Sequence, residues 1–321
     1  MNMMKKDWYD YFIEMLCKRY PKKSQLTEAL TDLLSIEKES VYRRLRKDIL
    51  FTIPELIKIA SAWNISLDEI TGAQTKEILF KLQMLNYTDP SEEELDDIRT
   101  LIQRLRQIKN FPKAEYMEIS NQLPRVFTSR FEYLSRFYLL KWMYQYHDKD
   151  SVAFSEVFFH EEVAKLSLSY HVESINIPNI TFISDQKIFE NLVCDVLYFH
   201  SIFLITDNEK DLIKKDLCAL LDYLNEVSTK GYWPETGNKV NLYISHISID
   251  TNYSYYYTPE EKLCRIHAFT KNELYAYNPE VVENFTTWMQ LKKRSSVLIS
   301  VADERSRIAF FKKQYELINK L

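Results

Sequence analysis

Three groups of residues in this chain of 321 have types and spacing that could do chemistry. The first is a run of cations, Lys38, Arg43, Arg44, Arg46 and Lys47. Positive charge gathered on one short helix can neutralise phosphates, and arginine can pair bidentately with a guanine edge. A solvated face of a helical bundle carries the same composition, so position inside a larger pattern must decide between the two. The second group is His160, Glu161 and Glu162, with His171 farther on. Helical zinc ligands sit one turn apart, and these histidines do not, so no metal site is predicted. Asp207, Glu209 and Asp211 lack calcium-loop spacing and instead suit a helix start. The third group is tyrosine: Tyr243, Tyr253, Tyr255, Tyr256, Tyr257, Tyr275 and Tyr277 crowd one segment. They read either as cross-strand aromatic pairs or as a ring-lined pocket or partner surface. For the pocket, the candidate residues are Tyr243, Tyr255, Tyr257 and Tyr275. His246 and His267 are expected as half-buried sheet histidines.

What the chain lacks narrows the chemistry. It has three glycines, Gly72, Gly231 and Gly237. Neither a phosphate-cradling GxGxxG or GxxxxGK loop nor a GxSxG nucleophile elbow can be written with them. No nucleophile stands in a recognisable pairing with a base. Catalytic residues and cofactors are therefore not expected, and the chain reads as a non-enzyme. Its net charge is −4, so any nucleic-acid contact must come from a local patch. Cys17, Cys194, Cys218 and Cys264 lie far apart and suit reduced thiols. No secretory h-region is visible near the N-terminus. The most apolar stretch, Leu192 to Ile205, is interrupted by Asp195 and His200, against a membrane span. A cytoplasmic protein without a membrane partner is expected.

Hydrophobic spacing supplies the elements that would position these groups. Helices are predicted over residues 8–20, 25–34, about 38–47 and 53–63, with a fifth at Leu67 to Thr71 ended by Gly72. Another is predicted over Thr75 to Leu85, then a turn at Tyr87 to Ser91. Residues 91 to about 230 read as mostly helical, with amphipathic stretches at EEELDDIRTLIQRLRQI, 129–146 and 209–228. Gly231 to Gly237, with Pro234 between, breaks the pattern. Val240 to Ile249, Tyr253 to Tyr257, Leu263 to Phe269 and Ser296 to Ser300 are strand-like, with helices at Pro279 to Leu291 and Ala302 to Ile318.

The run LTEALTDLLSIEKESVYRRLRKDILFTIPELIKIASAWNISLDEITG, from residue 26, resembles the Cro/repressor-type helix-turn-helix, the XRE family. The resemblance implies a five-helix lambda-repressor-like domain that docks its third helix in the major groove of double-stranded DNA. It puts base reading on Lys38, Glu39, Tyr42 and Arg43, and phosphate contacts on Thr27, Gln25, Arg44, Arg46 and Lys47. The chain departs from the family at several points: Ser35 stands for the turn glycine, Glu37 for the serine cap and Arg44 for the usual aromatic. Residues 91–321 resemble the companion region of helix-turn-helix regulators from Bacteroidetes-type bacteria, through Ile119 to Pro124, Phe131, Phe137, Trp142, LYISHISI and SSVLIS.

The expected architecture is mainly α. It comprises a DNA-binding domain (1–74), a linker (75–90), a helical region (91–236) and a small α+β domain (237–321). The expected function is sequence-specific transcriptional regulation, as a homodimer, with the C-terminal part dimerising or sensing a small-molecule or protein effector. The alternative is a protein-interaction module that uses the same fold without DNA, and the last is an enzyme carried by residues 91–321.

Overall fold

The computed structural model describes residues 8–20, 22–63, 65, 67, 80–146, 152–269 and 272–321. The chain divides into two compact units, residues 1–78 and 79–321.

The first unit is helical: α1 (Trp8–Arg19), α2 (Lys23–Leu34), α3 (Lys38–Leu45) and α4 (Ile53–Trp63). Apolar positions one turn apart bring Phe12, Leu16, Leu26, Leu30, Val41, Leu45, Phe51 and Ile59 into one core. The turn between α2 and α3 passes through Ser35 at φ 54°, the left-handed region that favours glycine. Helix α2 begins at Lys23, its preceding residue Lys22 giving no side-chain cap. A capping box opens α4 instead: Thr52 N–H donates to Glu55 at 2.8 Å, and Glu55 N–H to the Thr52 hydroxyl at 3.4 Å. Most of the fifth predicted helix, Leu67 to Thr71, lies outside the described residues.

The second unit corrects the expected fold class. An eight-stranded mixed sheet, in the order β1-β7-β6-β5-β2-β3-β4-β8, runs through all of it. The strands are β1 (Lys81–Gln83), β2 (Glu115–Ser120), β3 (Asn179–Asp185), β4 (Lys239–Ser245), β5 (Tyr253–Tyr257), β6 (Lys262–Ala268), β7 (Asn272–Ala276) and β8 (Ser296–Leu298). The expected helical region and the expected small α+β domain are therefore one body. β2, β3 and β4 are parallel at its centre, and β5, β6, β7 and β1 extend it antiparallel. The predicted helix over Thr75 to Leu85 is corrected at its end, because residues 81–83 pair with β7 as an edge strand; residues 75–79 lie outside the described residues.

The helices between strands are α5 (Glu92–Ile108), α6 (Arg125–Thr128), α7 (Glu132–Tyr146), α8 (Glu161–Ser174), α9 (Ile188–Ser201), α10 (Asp207–Lys230), α11 (Pro279–Lys292) and α12 (Glu304–Ile318). Ser91 caps α5 and Thr206 caps α10, each in a reciprocal box with the glutamate three residues on. Gly231 ends α10 at φ 74°, and a Cβ there would collide with Val301. Strand alternation splits the core in two. Tyr116, Ile180, Phe182, Val240 and Leu242 face a large cluster beneath α7, α9 and α10. Met117, Ile119, Ile183, Tyr255 and Cys264 face a smaller one with Val282 and Met289 of α11. No helix among the described residues is long and apolar enough to cross a membrane.

Candidate functional sites

Helix α3 turns Val41 and Leu45 into the core of the first unit. Lys38, Glu39 and Arg43 stand exposed and Tyr42 half-buried. Among the described residues, Lys38 and Arg43 make no ion pair. Gln25, on α2, is exposed as well.

Two residues assigned to phosphate by the resemblance are committed elsewhere. The Thr27 side chain is buried, and its hydroxyl donates to the Lys23 carbonyl at 2.8 Å, within its own helix. Arg44 pairs bidentately with Glu55, Nε to Oε2 at 3.0 Å and one terminal nitrogen to Oε1 at 2.7 Å. Its guanidinium also lies 5.8 Å from the Phe51 ring centroid. It thus fills the usual aromatic position with a ring-packed cation that ties α3 to the cap of α4. Arg46 pairs with Glu39 at 2.9 Å, and Lys47 pairs with Asp10. These two pairs are solvent-exposed and cheap to open.

The second unit contains a site that the sequence reading missed. A cavity of about 510 Å³ lies between the antiparallel half of the sheet and a roof of α5, α6, α7 and α8. Register aligns its floor: Glu118 stands opposite Ser254, which stands opposite Arg265, while His267 stands opposite Glu273. All lie on the face turned away from α11. Arg265 donates to Glu273 at 2.8 Å and to the Tyr256 hydroxyl at 2.9 Å. Its Nε is buried without a partner among the described residues, as is the hydroxyl of Ser254. The Tyr116 hydroxyl donates to Glu118 at 2.5 Å.

Burial sets the protonation of this floor. Desolvation pushes the Glu118 carboxyl up to about 7, against the opposing Tyr116 hydrogen bond and the Arg265 charge. Burial would raise Glu273 too, but Arg265, His267 and Arg125 outweigh it and hold this carboxyl below its usual range. Burial likewise pulls His267 below its ordinary value, against the Glu273 charge 3.5 Å away. One carboxylate and one partly protonated carboxyl therefore face the same space. From the roof, Arg125 stacks 4.8 Å over the Tyr170 ring and donates to Ser167 at 3.2 Å. No carboxylate among the described residues pairs with it.

The four tyrosines expected to line a pocket do not share one face of the sheet. Tyr255 packs under α11 and its hydroxyl accepts from Gln290 at 2.6 Å, with Tyr243 and Tyr257 against the same cluster. Tyr275 is on the opposite face, 5.7 Å from Tyr277. Strand alternation sends them apart, and none lines the cavity. The tyrosines that do line it, including Tyr87, Tyr116, Tyr138 and Tyr170, come from other segments. His267, expected merely as a sheet residue, lines it too. A signal was available: Glu118 in EYMEIS and Arg265 in KLCRIHA are charges at core-facing strand positions. Compared with known proteins, the chain matches no family model, no curated protein and no solved structure.

Proposed function

We propose that the chain is a cytoplasmic, sequence-specific DNA-binding regulator whose first unit reads the major groove with α3. The observation that carries the reading is the two-sidedness of this helix. Val41 and Leu45 lock one side into the core, while Lys38, Glu39 and Arg43 project from it into solvent. Arg43 pairs with a guanine edge, and Glu39 accepts from cytosine after its exposed pair with Arg46 opens. Arg46, Lys47 and Gln25 take the phosphates, without Arg44 and Thr27. Two copies on a two-fold site supply the contact area that one small domain lacks. The second unit serves dimerisation or sensing rather than catalysis.

A protein-interaction module is the second reading. It is favoured by the internal matching of Arg44, Arg46 and Lys47 with carboxylates. Selection from random duplex DNA with the full chain, followed by binding titrations at two salt concentrations, separates the readings. The regulator enriches a defined site, and its affinity falls steeply with salt. Arg43→Ala relaxes discrimination at one base pair by about 1–3 kcal/mol. No enriched site and no salt dependence would leave the interaction module.

A further inference from the structure

The cavity in the second unit stands independently of any role in DNA binding. Its volume of about 510 Å³ lies within the usual range for drug-sized ligands. Its walls divide the chemistry. Phe158, Phe159, Leu101, Leu168 and Tyr138 give an apolar and aromatic side. The polar side holds two guanidinium groups, Arg125 above and Arg265 below, against one carboxylate, Glu273. The other arginines of the wall are matched: Arg130 with Glu235 at 3.1 Å and Arg136 with Glu132 at 3.9 Å. One positive charge is thus left over when Glu118 holds its proton.

One buried group on the floor remains open to a ligand. Glu118 is 4% exposed, and only one of its oxygens has a partner among the described residues. Arg265 is also 4% exposed, and its Nε is closed off from the cavity. We propose that this cavity binds a small organic monoanion, one carboxylate on an aromatic or aliphatic body, with the carboxylate held by Arg125. The body lies along the phenylalanines. A phosphate dianion would bring one buried negative charge too many, which the lining does not match. A neutral ligand would leave Arg125 unpaired.

The test uses the full chain and four probes: 3-(2-naphthyl)propanoate, octanoate, the amide of the naphthyl acid, and 2-(2-naphthyl)ethyl phosphate. Calorimetry and naphthyl fluorescence read binding. At least one carboxylate is expected to bind saturably, with the amide and the phosphate about tenfold weaker or worse. Arg125→Met is expected to weaken the carboxylate by about tenfold or more while leaving the amide unchanged. Should that variant fail to fold, Ala164→Phe, which fills the cavity from α8, must abolish carboxylate binding. Equal binding of acid and amide, preference for the phosphate, carboxylate binding that survives either folded variant, or no saturable binding of either acid would overturn the proposal.

Discussion

The two units handle charge in opposite ways. In the first, the cations on and just after α3 stand in water, and those that are paired find their partners at the surface, except Arg44. In the second, Arg265, Glu273, Glu118 and His267 are gathered on the floor of a cavity, where each protonation state depends on its neighbours. Surface charge suits a large polyanion, because long-range attraction survives in water and many weak contacts add. Buried charge suits one small ligand, because desolvation makes every unmatched group costly and therefore selective.

The largest test of this contrast is Arg265→Leu. Removing the buried arginine leaves the half-buried Glu273 without its ion-pair partner, and is expected to cost about 3–5 kcal/mol of stability in urea unfolding. Replacing both partners with leucine should recover most of that loss. A single variant as stable as the parent would mean that water, not protein, satisfies the floor.

A smaller effect is expected from Glu118→Gln, and it depends on pH. The folded carboxyl titrates at about 7, above its ordinary value of 4.5, so the folded state holds the proton more tightly than the unfolded chain. The stabilisation this gives is complete below the unfolded value and fades as pH rises through 7. From pH 4.5 to 8 the parent should therefore lose up to about 3 kcal/mol that the glutamine variant does not. Parallel stability curves for the two proteins would show that Glu118 is ordinarily solvated.

The smallest effects separate the cations of the first unit. Arg44→Ala breaks a half-buried bidentate pair and should destabilise that unit by about 1–3 kcal/mol. Arg46→Ala breaks an exposed pair and should cost below about 1 kcal/mol. Hydrogen exchange over residues 8–63 measures both. Equal losses would erase the distinction between a structural arginine and one available to DNA.

How far each region could be read in the sequence follows from how local its signals are. Helices α1, α4 and α5 announce themselves through apolar spacing within a few turns, and the structure places them where that spacing does. Strands β4, β5 and β6 carry β-branched and aromatic runs and are equally plain. β2 and β3 are hidden among helices, and their pairing joins residues such as Met117 and Thr181, far apart in the chain. β7 is short and partly polar, so its sequence alone does not distinguish it from a turn. The tyrosine segment was visible as a cluster of rings, but which face each ring takes depends on register.

By itself the sequence determined the basic helix, its apolar anchors at Val41 and Leu45, and the absence of glycine-rich phosphate loops. These are properties of composition and short-range period, which local sterics and hydrophobic spacing enforce. Only the tertiary structure decided that Arg44 belongs to Glu55, that the C-terminal regions share one sheet, and that Glu118, Arg125, Arg265 and Glu273 meet around a single cavity. Those facts depend on strand order and on burial. A charge acquires its partner and its protonation state only when distant segments remove it from water together.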